Sequence, residues 1–200
     1  MKILVIILGY LLGSISPSYF ISKAKGHDIR DIGSGNAGAS NVTVSYGWKW
    51  GVFTALFDIF KAFITVYIAR ALCHDDDIAM IAGVAAVIGH MFPFYMQFKG
   101  GKGYASVTGL VLALNWKLAL IMMGAGVLIT LLTGYIALAT ITSVIVYSVY
   151  FFVTGKPLLA CVLFAIMSVI IIYKHKINIE RIINGTEISL MNSNKHRVDR

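Results

Sequence analysis

Three long stretches without any charged residue constrain the fold of this chain more than any other feature of its sequence. They are Ile3–Ser22, Ile78–Phe98 and Leu118–Gly155. A helix that crosses the hydrocarbon core of a bilayer needs about 20 consecutive apolar residues. Charged residues make up 13% of the chain, which is roughly half of the ~25% typical of soluble proteins. A soluble domain, a disordered chain and a disulfide scaffold are therefore excluded, and the sequence predicts an all-α integral membrane protein.

The longest of these stretches must contain two spanning helices. Leu118–Gly155 has 38 residues, and at 1.5 Å per residue a single helix would be about 57 Å long, far longer than a bilayer is thick. We expect the turn between its two helices near Thr133-Gly134. With the other apolar segments this gives about seven predicted spans: Ile3–Tyr19, Trp50–Arg70, Ile78–Met96, Tyr104–Asn115, Leu118–Leu132, Tyr135–Val153 and Leu158–Tyr173. The fourth of these is short for a crossing, so a re-entrant helix is the alternative there.

The basic residues predict which side of the membrane each loop faces. Of the 17 Lys and Arg residues, 12 lie in segments 22–49, 97–103 and 174–200. The loops on the opposite side hold few basic residues and an acidic run, namely Lys2, Arg70, Lys117 and Lys156 with Asp75-Asp76-Asp77. Because Lys and Arg are enriched in cytoplasmic loops, the N-terminus is predicted outside and the C-terminus in the cytoplasm. This distribution accounts for the net charge of +8, and no nucleic-acid partner is expected.

Three polar segments fall on the predicted cytoplasmic side, and the first of them is Ile32–Val42. Its glycines are Gly33, Gly35 and Gly38, and its neutral donors are Ser34, Asn36, Ser40 and Asn41. Glycines permit backbone conformations in which successive N–H groups form an anion-binding nest. The alternative is an ordinary solvated loop, because Gly, Ser and Asn are also the commonest turn residues. No Gly-Lys-Ser/Thr sequence follows, so the segment is not a Walker A loop.

The second polar segment is Gly89–Ser106, whose two lysines stand beside glycines. Lys99 and Lys102 flank Gly100-Gly101, and Gly103 precedes the next helical pattern. Lysines beside the exposed N–H groups of a helix N-terminus suit a phosphate. The alternative is that these are turn glycines with lysines placed by the positive-inside rule.

Three ionisable residues lie inside the predicted spans. His90 is one turn from the end of the third span, and a polar residue at that depth usually faces the bundle interior or a cavity, so it is a site candidate. Asp58 and Lys61 are three residues apart in the second span. We expect them to form a structural ion pair that faces other helices.

The third polar segment, Tyr173–Ile188, follows the last predicted span. His175 and Asn178 are three residues apart and would share one face of a helix. Isoleucines alternate with charged residues along the segment. The alternative is therefore a cationic amphipathic helix at the membrane surface.

These segments provide ligands for anions but no familiar covalent nucleophile. No Gly-x-Ser-x-Gly elbow or His/Glu zinc motif is present. The His-x4-Asp pair of common membrane glycerolipid acyltransferases is also missing, since His27 and Asp31 are one residue too close. Cys73 and Cys161 are isolated, and no metal site is expected. Phosphate ligands with few acid–base groups favour transfer from an already activated donor.

In this order and spacing, the three segments resemble one family, the bacterial acyl-phosphate:glycerol-3-phosphate acyltransferases of the PlsY type. The chain length and Leu12–Tyr19 with Lys23 add to the resemblance. It implies one membrane domain over 1–200, with seven helices, in the bacterial cell membrane and an active site that opens to the cytoplasm. It also implies transfer of a fatty acyl group from acyl phosphate to the sn-1 hydroxyl of glycerol 3-phosphate, giving lysophosphatidic acid and phosphate, without metal or cofactor. The implied partners are these two substrates, membrane lipid and the soluble enzyme that makes acyl phosphate.

The resemblance also implies roles for individual residues. Catalytic roles fall to His175, Asn178, Ser34 and His90, the last for positioning or proton transfer. Binding of phosphate and substrate falls to Gly33, Ser34, Gly35, Asn36, Asn41, Lys99, Gly100, Gly101, Lys102, Gly103 and, in support, Glu187.

One position departs from the family pattern. The family has an arginine shortly after the first segment, and Val44 stands at that position here. An arginine is a bidentate phosphate ligand that valine cannot replace. A divergent paralogue with another acceptor or low activity is therefore one alternative, and an inactive scaffold is another. A small-anion transporter is a third, although the polar residues gather at one face of the bundle, away from its middle.

Overall fold

The computed structural model describes residues 1–187 and 189, and in them every regular element is a helix. The α-helices are α1 Lys2–Ser14, α2 Pro17–Ala24, α3 Ala39–Tyr46, α4 Trp48–Cys73, α5 Asp76–Met91, α6 Tyr104–Leu114, α7 Trp116–Thr133, α8 Ile136–Val153, α9 Leu158–Lys174 and α10 Lys176–Ile183. A 3₁₀ turn, Phe94–Met96, follows α5. Each apolar segment singled out in the sequence is helical, which confirms the all-α prediction for the described residues.

Five helical segments are long and apolar enough to cross a membrane: Lys2–Ala24, Trp48–Cys73, Asp76–Met96, Trp116–Thr133 and Ile136–Val153. A sixth is counted if α9 and α10, which meet at an angle of 50°, form one bent span. The short fourth segment, α6, has 11 residues. The structure therefore supports five or six spans among the described residues. A crossing by α6, which would bring the number to seven, and the side on which each terminus lies stay predictions.

The first span is broken between α1 and α2, where the sequence predicts one continuous helix. Ile15 is extended (ψ 116°) and Pro17 begins α2, a position that suits proline because its missing N–H is not needed there. Side chains bind the backbone groups exposed at the break. The Tyr95 hydroxyl donates to the Ser14 carbonyl at 2.7 Å and accepts from the Ser16 N–H at 3.1 Å. Lys61 Nζ donates to the Ile15 carbonyl at 2.7 Å.

The described residues form two compact units, and the first comprises residues 1–115. Small residues let its helices approach closely, as is common in membrane proteins. A Cβ on Gly13 of α1 would collide with the backbone of Ala86 in α5, and one on Gly109 of α6 would collide with the backbone of Ile59 in α4. Helices α1, α4, α5 and α6 therefore pack into a rigid bundle that carries the first two polar segments.

The second unit comprises residues 116–187 and 189 and contains α7 to α10. Helices α7 and α8 are separated at Gly134 (φ 79°), which is where the sequence predicts the turn. Helix α8 packs on α9 through Phe151 and Phe164, whose stacked rings are 4.1 Å apart. This unit carries the third polar segment at the junction of α9 and α10.

Candidate active site

Asn41 closes the first polar loop onto the start of α3. Its side chain is 2% exposed. Its Nδ2 donates to the carbonyls of Ile29 (2.9 Å) and Ile32 (3.0 Å), and its Oδ1 accepts from the N–H of Ser34 (2.9 Å). Both of its donors are used by the loop backbone, so Asn41 shapes the loop and has no amide hydrogen left for the predicted contact with a phosphate.

Gly33 and Gly35 adopt backbone conformations that other residues avoid, with φ of 57° and 72°. A Cβ on Gly33 would also collide with the Asn41 amide. Gly35 and Gly38 donate their N–H groups to Ile32 (3.0 Å) and Asn36 (3.0 Å). The loop is thus a tightly folded structure in which Ser34 and Asn36 are half-buried, and several of the expected nest donors serve the loop itself.

The second polar loop doubles back on the end of α5. Gly100 N–H donates to the Met91 carbonyl and Gly101 N–H donates to the His90 carbonyl, each at 3.1 Å. These two N–H groups therefore bind backbone, although the sequence predicts that they bind substrate. A Cβ on Gly100 would collide with the His90 carbonyl, which explains why glycine is needed there.

The lysines of this loop differ in exposure. Lys99 is exposed and Lys102 is half-buried. Gly103, with φ of 97°, precedes α6, so Lys102 lies two residues before the first helical residue of α6. The backbone therefore places a cation beside the positive end of a helix, as the sequence predicts for an anion site.

The first and second polar loops meet in the folded unit. Arg30 Nη1 donates to the Met96 carbonyl at 2.8 Å. Met96 is fully buried in a cluster with Ile29, Ala37 and Val42. A Cβ on Gly101 would lie 3.0 Å from the carbonyl oxygen of Ala37. The structure thus brings together residues that lie more than sixty positions apart in the sequence.

The ion pair predicted inside the second span is present and has a third member. Lys61 Nζ lies 2.7 Å from Asp58 Oδ1 and 3.1 Å from His90 Nδ1, and His90 Nδ1 lies 3.3 Å from Asp58 Oδ1. All three side chains are at most 5% exposed. The sequence singles out each of these residues but does not show that they touch, because Lys61 in α4 and His90 in α5 lie 29 positions apart.

A second charged pair orders the loop before Gly33. Arg30 binds both carboxylate oxygens of Asp28, with Nε–Oδ1 at 2.9 Å and Nη2–Oδ2 at 2.8 Å. These hydrogen bonds hold the pKa of the Asp28 carboxyl well below its usual value. The Asp28–Arg30 pair is not recognisable from the sequence, since an acidic and a basic residue two positions apart are common in loops.

The third polar segment is ordered within the second unit. His175 is buried at the junction of α9 and α10, and its Nδ1 lies 2.8 Å from the Ile171 carbonyl. Asn178 is also buried, and its Nδ2 donates to Glu187 Oε1. Glu187 thus contacts Asn178 directly, and its supporting role stays a prediction.

Two further expectations concern Val44 and metal ions. Val44 is 5% exposed and points inward from α3. Among the residues that the structure describes, no group of three or more His, Cys, Asp or Glu side chains could hold a metal ion.

Comparisons with known proteins agree on one family. The glycerol-3-phosphate acyltransferase family model matches residues 3–185. A glycerol-3-phosphate acyltransferase of Brucella anthropi is 42% identical over 91% of this chain and 90% of its own length. One from Aquifex aeolicus is 40% identical over 91% of this chain and 95% of its own.

Solved structures are similar over the same length. The glycerol 3-phosphate form of PlsY (YgiH), an integral membrane glycerol 3-phosphate acyltransferase, has a TM-score of 0.88 and 38% identity over 94% of this chain and 95% of its own. The lysophosphatidic acid form has a TM-score of 0.85 and 38% identity over 96% of each chain. With its apolar helices, the chain is a multi-pass membrane protein. It belongs to the glycerol-3-phosphate acyltransferase family.

Proposed function

We propose that this chain transfers a fatty acyl group from acyl phosphate to the sn-1 hydroxyl of glycerol 3-phosphate, giving lysophosphatidic acid and phosphate. The observation that carries this proposal is the meeting of the two polar loops on the core of Ile29, Ala37, Val42 and Met96. Either loop alone would be an ordinary turn-rich connection. Their association in a chain so similar to the glycerol 3-phosphate form of PlsY favours a phosphate site.

The residues of the first unit divide into ligands and supports. Lys102, beside the N-terminus of α6, and the more exposed Lys99 supply positive charge for the phosphate group of glycerol 3-phosphate. Ser34 and Asn36 supply neutral donors from the first loop. Gly33, Gly35, Gly100, Gly101 and Gly103 allow the tight backbone paths that bring these side chains to the substrate.

Catalysis then relies on position and charge more than on acid–base groups. The sn-1 hydroxyl oxygen attacks the acyl carbonyl carbon, the bond from that carbon to the phosphate oxygen breaks, and phosphate leaves with the electron pair. The hydroxyl proton passes to a substrate phosphate. A donor that arrives activated needs mainly alignment and stabilisation of the developing negative charge.

His175 and Asn178 are the proposed catalytic residues of the second unit, and their burial and hydrogen bonds support this proposal. Both are buried polar side chains at a helix junction. A neutral His175 whose Nδ1–H donates to the Ile171 carbonyl carries its lone pair on Nε2. Glu187 accepts from Asn178 and fixes the orientation of its amide.

The proposed enzyme is one domain over 1–200 in the bacterial cell membrane, with no metal or cofactor. We propose seven crossings, namely the six described above and α6. The N-terminus lies outside and the active site opens to the cytoplasm, where the soluble enzyme that makes acyl phosphate can deliver its product. The orientation is tested with a single cysteine at the exposed position of His27, after Cys73 and Cys161 are replaced by serine. Labelling from the outer side would contradict it.

Phosphate release from acyl phosphate by the purified protein tests the function. We expect release only when glycerol 3-phosphate is added, with labelled lysophosphatidic acid as the lipid product. Lys102→Ala abolishes release, whereas Lys117→Ala, a lysine in the second unit with no proposed role, retains it. Equal release with and without acceptor would identify a phosphatase. Substrate-dependent flux into liposomes would instead identify the transporter.

Val44 motivates the second candidate, a paralogue with another acceptor. The experiment is Val44→Arg, which restores the residue type of the family pattern. A sharp gain in turnover with glycerol 3-phosphate identifies a weakened parent activity. Unchanged turnover, with a different labelled lipid from another acceptor, identifies the divergent enzyme.

A further inference from the structure

Lys61 has no role in the mechanism above, although its position demands one. It is a buried ammonium group inside a candidate span, and a charged side chain at that depth is costly and usually functional. Its Nζ reaches the Ile15 carbonyl, the Asp58 carboxylate and His90 Nδ1 at 2.7, 2.7 and 3.1 Å. It therefore joins α1, α4 and α5 at one point.

The contacts with Lys61 and Asp58 hold the His90 ring in one orientation. In its 3.1 Å contact with the Lys61 ammonium group, which only donates, His90 Nδ1 accepts, and a neutral ring in that tautomer carries its hydrogen on Nε2. In the other tautomer Nδ1–H faces Asp58 Oδ1 at 3.3 Å. The Nε2 edge is the edge that lies against Gly101, where a Cβ would collide with it. In either tautomer, Lys61 and Asp58 hold the ring with its Nε2 edge toward the two polar loops.

His90 in turn holds the second loop in two ways. Its carbonyl accepts from the N–H of Gly101 at 3.1 Å, and its ring fills the space where a side chain at Gly101 would lie. Lys102 is the next residue along the chain. The His90 ring and carbonyl therefore support the backbone on which Lys102 is carried.

We propose that Lys61 is a positioning residue: through His90 it fixes the Gly100–Gly103 loop, and with it Lys102, in the geometry that binds the phosphate of the acceptor. Asp58 stabilises the ammonium group and keeps it in place. This inference rests on the proposed function, because it assigns Lys102 to the glycerol 3-phosphate. It predicts a specific effect on that substrate, whereas a general structural role would affect both substrates alike.

The variants must separate the loss of positioning from the cost of a buried unpaired charge. Lys61→Met alone leaves Asp58 without its cation and is strongly destabilising. The double variant Asp58→Asn/Lys61→Met removes both charges and is the main test. His90→Gln is the second variant, because it keeps a hydrogen-bonding side chain but loses the ring. Thr65→Val is the matched control, since Thr65 is buried one turn further along α4 and its hydroxyl donates to the Lys61 carbonyl in its own helix.

Two measurements carry the test. In hydrogen exchange of the protein in lipid nanodiscs, we expect the amides of Gly100 and Gly101 to exchange about tenfold faster in the double variant and in His90→Gln. In acyl-transfer kinetics, we expect KM for glycerol 3-phosphate to rise about tenfold or more, as small misplacements of a binding group can cause. KM for acyl phosphate stays within about twofold. Thr65→Val matches the unmodified protein in both measurements.

The outcomes separate this inference from the function on which it rests. Unchanged exchange at Gly100 and Gly101 in a folded double variant, or an equal rise in KM for both substrates, overturns the positioning role. If the double variant does not fold, unchanged exchange in His90→Gln does the same. If the unmodified protein shows no acyl transfer, the proposed function fails, and the exchange measurement still decides whether Lys61 holds the loop.

Discussion

Arg30 binds the carbonyl oxygen of Met96 through Nη1 at 2.8 Å, and this hydrogen bond joins the segment just before the first polar loop to the second polar loop. The same guanidinium group binds both carboxylate oxygens of Asp28. The bidentate pair orients the guanidinium plane so that its remaining edge faces Met96. The order of the candidate site thus depends on a charged pair that contacts no proposed substrate atom.

The Asp28–Arg30 pair makes stability depend on pH in the acid range. Hydrogen bonds from Arg30 lower the pKa of Asp28 in the folded protein, so its contribution is complete above the unfolded pKa of about 4 and is lost as pH falls below that value. We expect Asp28→Asn to be less stable by about 2 kcal/mol at pH 7. The difference shrinks as the pH falls below about 4. Thermal unfolding in detergent across this range measures it, and a constant difference would contradict the role of the pair.

Asn41→Asp tests whether Asn41 shapes the first loop. The carboxylate has the same shape as the amide but cannot donate to the carbonyls of Ile29 and Ile32, so two bonds are lost and repulsion replaces them. Each lost bond to a buried acceptor costs about 1–3 kcal/mol. We therefore expect lower thermal stability and weaker binding of glycerol 3-phosphate. Lys49→Ala, at an exposed position in the first turn of α4, is the control and leaves both measurements unchanged.

Gly101→Ala tests the close approach of the two loops. The added methyl group would collide with the His90 ring and lie 3.0 Å from the Ala37 carbonyl oxygen, so the loop must move. We expect kcat/KM for glycerol 3-phosphate to fall on the order of 10²-fold. The matched control is Gly124→Ala in α7, where, among the described residues, no atom outside the local helix backbone lies within 4 Å of the new Cβ. Equal activity of the two variants would show that the approach does not matter.

The helices of this chain could be predicted from sequence because the signal is simple. Uncharged segments must be helical in lipid, and the ends of α4 and α7 lie within a few residues of the predicted ones. The break at Ile15 escapes prediction although Pro17 marks it. Proline is tolerated in membrane helices, so its effect depends on whether Lys61 and Tyr95 are present to bind the freed backbone groups.

The candidate site was predictable as a set of residues but not as a set of contacts. Residue type indicates Asn41 and His90, since amides and imidazoles are uncommon in such a chain, and Gly101 is indicated by its place between Lys99 and Lys102. Their partners are mostly backbone carbonyls, such as that of Ile29 for Asn41, and any residue type supplies a carbonyl. The hydrogen bonds of Asn41 and Gly101 to backbone carbonyls can therefore be known only from the folded structure.

A donor–acceptor exchange tests the pairing of Asn178 with Glu187. Asn178→Asp places two carboxylates in contact, so the segment should separate there and activity should fall on the order of 10-fold or more. Glu187→Gln keeps an oxygen acceptor for the Asn178 amide, so it retains most activity. In the double variant Asn178→Asp/Glu187→Gln the new amide donates to the new carboxylate, which restores the hydrogen bond with its direction reversed.

The acyl-transfer rate and thermal stability of the four proteins measure the coupling as a double-mutant cycle. If the pair only orders the segment, the double variant recovers both stability and rate. If the Asn178 amide also donates to substrate, stability recovers while kcat stays low, because the carboxylate cannot donate. Independent, additive effects of the two substitutions would show that the hydrogen bond contributes to neither.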